Sequence, residues 1–253
     1  MKKLQHRLKY KTASVWDNFL ETIFPPRCFV CDGLLETPDL RRGSRIHPSC
    51  RKKLYPVVQP YCYHCGSPLS DSSREYCKDC TGHTSFVEEG RSLFVYRGAV
   101  QKSMYRLKYA NRRTYAKFLA EEAAQHLEAW MHRQQIDLIV PVPMFKKKQR
   151  YRGYNQAAVF ARELERTTGI PCKTHAVSRI RDTRPQKELN GRDREKNVKN
   201  AFQVCDFVVE YKKILIVDDI YTTGATVEAV AAELKRNGAG QIFVLTACIG
   251  SDF

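Results

Sequence analysis

The sequence predicts an α/β protein: a parallel sheet flanked by helices, with a small Cys-rich zinc-binding domain in front. Three stretches carry this prediction. Residues 214–226, ILIVDDIYTTGAT, read as buried strand, loop and helix start, and the apolar run Ile214 to Val217 suits a strand covered on both faces. Residues 136–143, IDLIVPVP, are a second buried strand, stopped by Pro141-Val-Pro143. Between residues 28 and 80 lie four Cys or His pairs with two residues inside each pair, a spacing suited to Zn²⁺.

A chain of 253 residues fits one medium domain with a smaller one attached. The division expected is a basic N-terminal helix over 1–27, a double zinc-knuckle domain over 28–85 and the α/β domain over 90–253. No apolar run approaches the ~20 residues of a transmembrane helix. The basic start, MKKLQHRLKYKTASVWDNF, has no uninterrupted apolar centre, so no secretory signal and a cytoplasmic location are expected. Ten cysteines in such a protein point to metal or free thiols rather than disulfides. The net charge is +16, and residues 140–200 alone carry 16 Lys/Arg against 6 Asp/Glu. That balance suits polyanions such as nucleic acid, pyrophosphate or nucleotides, or simply a soluble basic surface.

Taken in order, Trp16, Phe19, Leu20, Ile23 and Phe24 recur at helical spacing behind a basic segment, and Pro25-Pro26 stops the helix. This stripe either packs on the next domain or meets a membrane surface or nucleic acid. Cys28, Cys31, His47 and Cys50 form one possible Zn²⁺ set, and Cys62, Cys65, Cys77 and Cys80 a second, with a cross-braced pairing also compatible. Neither set leaves an open position, so one or two structural zinc ions are expected. Gly66 suits a knuckle turn, and His64 and His83, off the spacing, are expected at the surface. Residues 91–97 read as a strand, 98–109 and 115–134 as helices. Tyr105, Lys108, Tyr109, Arg112 and Arg113 mix aromatic and basic residues, as do both base-stacking surfaces and ordinary amphipathic helices. After the second strand comes a basic loop, Lys146-Lys-Lys148, Arg150 and Arg152, and Gly153-Tyr-Asn-Gln156 opens a helix to about Arg166. Residues 172–179 are a third strand candidate. Residues 179–200 have almost no apolar content and read as a long functional loop, which with the first basic loop suggests a lid over an anion. A strand pattern resumes at 201–209, and 241–249 is the final strand. Cys172, Cys205 and Cys248 are expected in the core.

Asp218 and Asp219 fall at the C-terminal end of the central strand, where open α/β sheets bind ligands. Thr222, Thr223 and Thr226 offer hydroxyl donors, Gly224 permits close approach, and the amides of the next helix point at an anion. Acids beside a phosphate cradle fit a ligand that also carries hydroxyls or Mg²⁺.

The pattern at 214–226 resembles the phosphoribosyl-pyrophosphate (PRPP) motif of type I phosphoribosyltransferases. The resemblance implies that sheet type, with Asp218 and Asp219 on the ribose hydroxyls and Thr222, Thr223, Gly224, Ala225 and Thr226 on the 5′-phosphate. It also implies Mg²⁺ with PRPP, and pyrophosphate facing the first basic loop. There Lys148 and Arg152, with Arg184 and Lys187 from the long loop, would neutralise charge on the leaving pyrophosphate. Asp218, Asp219 and Arg152 would be the catalytic set, but no general base for an acceptor stands out, so the motif speaks for PRPP binding more than for transfer. The order of zinc segment, Arg152-Gly-Tyr-Asn-Gln156, Arg184-Pro-Gln186, Arg194 to Asn197, Ala201-Phe202 and PRPP motif is similar to the ComF/GntX family. The chain departs from that pattern at His47, where cysteine is more common. The family implies a role in natural competence, handling single-stranded DNA beside a helicase-like partner. An active phosphoribosyltransferase of nucleotide salvage with an unidentified acceptor is the alternative.

Overall fold

The structure is a computed structural model that describes residues 25–36, 44–82, 84–182, 200–206 and 210–250. Most of the N-terminal helix expected over 1–27, His83, Arg184 and Lys187 lie outside the described residues.

Four parallel strands form the sheet in the order β1 (Glu89–Val95), β6 (Gln241–Ile249), β5 (Lys213–Tyr221), β2 (Leu138–Pro141). Period-2 alternation divides the apolar side chains between two layers. Ile139, Leu215, Val217, Phe243 and Leu245 join one core, closed by α2 (Ala99–Tyr109), α3 (Tyr115–Gln134) and α5 (Gln156–Thr168). Leu138, Val140, Ile214, Ile216, Ile242 and Val244 join the other, closed by α6 (Ala225–Arg236) and by the antiparallel pair β3 (Val177–Arg179) and β4 (Phe202–Val204).

Three elements differ from the sequence reading. The central strand runs past Val217 through both acids to Tyr221, because β6 continues beside it and supplies ladder partners as far as Ile249. The basic loop after β2 is a short helix, α4 (Lys146–Arg152). Lys, Gln and Arg are good helix formers, no Gly or Pro interrupts them, and Gly153 at φ 84° ends the helix. The third strand candidate is split: Cys172 bridges Ile139 in parallel, whereas Val177–Arg179 turns away to pair with β4. Of the three cysteines expected inside, Cys248 is buried, Cys172 half-buried and Cys205 exposed beside the Ser178 hydroxyl.

The Cys-rich segment, which includes the one-turn helix α1 (Pro48–Arg51), lies along the otherwise open edge of β1. Val57 N–H donates to Leu93 O (2.9 Å), Val95 N–H to Tyr55 O (2.8 Å) and Gly90 N–H to Tyr63 O (2.9 Å). An edge strand is thereby covered rather than left as a template for another chain. Two glycines permit the approach. A Cβ on Gly66, at φ 75°, would sit 2.7 Å from the Ser92 amide, and a Cβ on Gly90 would overlap the His64 carbonyl.

Gly66→Ala and Gly90→Ala are each expected to destabilise the zinc-loaded protein by about 1–3 kcal/mol, as overpacking does. Urea unfolding checks this, with Gly82→Ala, where no neighbour stands within 4 Å, as the comparison.

Candidate functional site

The acids sit where the sheet opens. β2 leaves β5 after the pairing Pro141–Val217 and the bond from Val142 N–H to Val217 O (2.9 Å). Beyond that point β5 keeps a partner only on its β6 side. Alternation sends Asp218 and Asp219 to opposite faces, and Asp219 pairs with a cation on its face. Asp219 Oδ2 pairs with Lys108 Nζ of α2 at 2.9 Å. Asp218 accepts the Asp219 amide at Oδ1 (2.8 Å) and feels the charge of Arg179 on β3. Burial, then the neighbouring Asp219 charge, push the Asp218 carboxyl up to about 7; Lys108 and Arg179 only partly offset this. Lys108 is held above its ordinary value, because the two acids outweigh its own burial.

Thr222 and Thr223 are exposed at the turn that follows, and Gly224 caps α6 at φ 75°. The ring of Tyr221 lies against Gly224, where any Cβ would overlap its hydroxyl. The turn and the acids therefore share one end of β5, with the N–H groups of the 12-residue α6 behind them.

A cleft of about 740 Å³ opens between α4 and β3, lined by Phe145, Lys146, Lys147, Arg150, Ser178, Arg179 and Ile180. Lys148 and Arg152, named from the sequence, have other partners. Lys148 pairs with Asp182 at 3.1 Å. Arg152 donates to Gln156 Oε1 (2.8 Å) and to the Tyr109 hydroxyl (3.2 Å), and lies 4.9 Å from that ring's centre. The RGYNQ segment is thus a joint. Gly153 ends α4, the Tyr154 hydroxyl bonds the Leu107 carbonyl, and Asn155 caps α5 through the Ala157 amide (3.1 Å). By sequence alone Lys108 is undecided, and Arg179 counts only as the first residue of the long basic loop. Lys108 follows the buried positions Ser103, Met104 and Leu107 of α2, and that pattern is the signal that it faces inward.

Cys28, Cys31, His47 and Cys50 come together in one group, and Cys62, Cys65, Cys77 and Cys80 in another, each with its ligand atoms within 4.8 Å of one another. This is the sequential pairing. His47 Nε2 bonds Leu34 O (2.9 Å), which fixes the tautomer and turns Nδ1 towards Cys31 Sγ (3.3 Å) and Cys50 Sγ (4.0 Å). In the second group the Cys62 thiol is pulled far down by hydrogen bonds from Cys65 and Cys80, while those two are driven up by Cys62. Four thiols so close cannot all ionise without a cation, and both donor sets fit a structural, tetrahedral Zn²⁺.

Each group is also tied to one side of the acids. In the first knuckle, Asp32 accepts from Arg112 Nε (2.8 Å) and Tyr115 Oη (2.7 Å), and Ser103 Oγ donates to Phe29 O (2.5 Å), which fixes the knuckle on α2 and α3. In the second, His64 is not at the surface: its Nε2 lies 3.4 Å from Glu228 Oε1 in the first turn of α6. Glu228 also receives the Ser85 hydroxyl and the Phe86 amide (3.2 Å). Burial raises its carboxyl, but these donors, His64 foremost, bring it below the ordinary range.

A model of the double zinc ribbon domain matches residues 19–81. Competence protein F of Haemophilus influenzae is 30% identical over 227 residues, covering 86% of this chain and 94% of that protein. The chain belongs to the ComF family. Another relative of this ComF chain, the DNA utilization protein YhgH of Salmonella typhimurium, is 31% identical over 192 residues, covering 74% of this chain and 83% of its own. Among solved structures, a purine phosphoribosyltransferase from Pyrococcus horikoshii overlaps 52% of the chain and 74% of its own, at 17% identity and a TM-score of 0.34. No helix among the described residues is long and apolar enough to cross a membrane.

His47→Ala is expected to lower the zinc content from two ions per chain towards one, whereas His47→Cys, which supplies another soft ligand, retains both. Metal analysis of the purified variants checks this.

Proposed function

We propose that this ComF chain is a PRPP-binding protein that acts in the uptake and use of DNA and handles single-stranded DNA. One observation carries the reading: two adjacent carboxylates, one of them paired with Lys108, share a strand end with a Thr/Gly turn that opens a helix. In this reading Asp218 and Asp219 accept hydrogen bonds from the ribose 2′- and 3′-hydroxyls. Thr222, Thr223 and Thr226, with the amides of Gly224 and Ala225, receive the 5′-phosphate. Among the described residues the acids belong to no group of three or more metal-ligand side chains, and Asp219 already holds Lys108. Mg²⁺ therefore enters on the pyrophosphate, as part of the ligand, and lowers its charge.

The pyrophosphate faces the cleft of Lys146, Lys147, Arg150 and Arg179. Lys148 and Arg152, on the same helix α4, add positive charge beside that cleft, and Arg184 and Lys187 are expected to add more. In transfer, the bond from the anomeric carbon to pyrophosphate would break as an acceptor bonds that carbon, and the basic cleft would hold the departing charge. No described side chain is set as a base for an acceptor, so binding is the function proposed here. Single-stranded DNA suits the same basic cleft, with Phe145 available for stacking, and the name of one relative, a DNA utilization protein, agrees with a DNA-related role.

Calorimetric titration with Mg²⁺-PRPP tests the reading. Asp218→Ala with Asp219→Ala is expected to lose at least about tenfold in affinity, as expected for hydrogen bonds to charged acceptors. Equal binding by wild type and variant would refute it. Binding of single-stranded DNA is expected to weaken steeply with salt, and salt-independent binding would remove the DNA part.

The pH dependence has a defined sign. Asp218 is half-protonated near pH 7 in the free protein, and sugar hydroxyls bond best to its ionised form, so PRPP affinity rises as pH increases through about 7. Asp218→Asn, which keeps an acceptor oxygen but cannot ionise, should lose that component of the pH profile. In the free protein the raised carboxyl acts the other way: the folded state holds the extra proton, so its contribution to stability falls as pH rises from about 4 to 7.

A further inference from the structure

We infer that His64 and Glu228 form a clamp through which the second zinc knuckle sets the phosphate-binding turn, so that zinc retention in Cys62, Cys65, Cys77 and Cys80 and anion binding at 222–226 are coupled. The inference rests on the PRPP reading of that turn.

His64 lies inside the knuckle, between the ligands Cys62 and Cys65, and its backbone is pinned from both sides. Cys62 N–H donates to Ser67 O (2.7 Å), Gly66 N–H to Cys62 O (2.8 Å), and the His64 carbonyl presses on Gly90 of β1. The imidazole therefore has little freedom once the metal closes the knuckle. Its Nε2 reaches Glu228 at 3.4 Å, with side-chain exposures of only 15% and 30%. Glu228 stands one turn into α6, and its own amide closes the first helical bond, to Gly224 O (2.9 Å). Gly224 is the cap whose neighbours would hold the phosphate, so the carboxylate and the cradle move together.

Two further contacts join the same parts. Tyr221, the last residue of β5, shares a core with Cys62 and Cys65, and its ring covers Gly224. The Ser85 hydroxyl and Phe86 amide bind Glu228 on the far side of the fourth ligand, Cys80. Both ends of the second zinc segment thus converge on one carboxylate in the first turn of the ligand helix. An ordinary surface pair would be worth little. This one is part-buried, shared by three donors, and fixed at one end by a metal site.

Coupling of two sites is reciprocal. Losing the clamp should weaken anion binding, and a bound anion should tighten zinc binding. The test uses full-length, zinc-loaded protein, with Mg²⁺-PRPP and, separately, ribose 5-phosphate as probes. Anion affinity is measured by calorimetry, and zinc affinity by equilibrium competition with a chromogenic chelator with and without probe. In wild type, saturating probe is expected to protect one of the two zinc ions by about tenfold in affinity, within the usual range of coupled sites. In His64→Ala and Glu228→Gln, both still carrying two zinc ions at the start, probe affinity should fall by a similar factor and the protection should vanish. Glu228→Asp, which keeps the charge, should restore part of both. Unchanged affinity and unchanged protection in these variants would overturn the clamp while leaving the PRPP reading intact. If wild type binds neither probe, both fall together.

Discussion

Two like charges on adjacent residues of a buried strand are the constraint on which this molecule turns. A carboxylate inside a fold is costly unless it meets a cation, and neighbours in a strand look to opposite faces, so one cation cannot serve both equally. Lys108 reaches Asp219 from the helical layer and also acts on Asp218, to which Arg179 of the β3–β4 layer adds a smaller influence. Both layers must therefore be held at the open end of β5, which is where a large part of the remaining architecture is spent. Asp218 stays only partly compensated, with a carboxyl near neutrality. An incompletely satisfied acid beside an anion cradle is the kind of local tension that folds keep where they bind ligands.

The Cys-rich segment meets that need from both sides. It is small and has little apolar interior, so its ordering draws on metal binding and on the core it shares with the sheet. Phe29 stacks on Phe118 at 4.5 Å between ring centres, and its knuckle fixes α2, the helix that carries Lys108. Cys62 and Cys65 belong to the opposite core, with Tyr221 and α6. One strip of chain thus crosses the β1 edge and braces the two layers that face the two acids. The metal groups are structural in their ligand sets, yet each is one or two contacts from the candidate ligand site.

The sequence shows the strands and the acids plainly, because a sheet covered on both faces writes itself as unbroken apolar runs, and 241–249 matches β6 residue for residue. The ligand groups were equally legible, since knuckle spacing is local, and geometry then chose the sequential pairing over the cross-braced one. The long-range pairings were not legible. Nothing near Lys108 announces Asp219, and a histidine off the ligand spacing gives no sign of Glu228. The helix at 146–152 was hidden by its own charge, because a run of lysines reads as a solvated loop until tertiary structure presents it beside a sheet end. The motif around Arg152 points to anions, and nothing in it shows that the guanidinium also bonds Gln156 and Tyr109.

The decisive measurement is hydrogen exchange of the zinc-loaded protein with and without Mg²⁺-PRPP. Slowed exchange is expected in the peptides covering 218–226, where acids and turn meet the ligand, and in the α2 peptide that carries Lys108. Exchange unchanged at 218–226, with slowing elsewhere or nowhere, would contradict the PRPP reading.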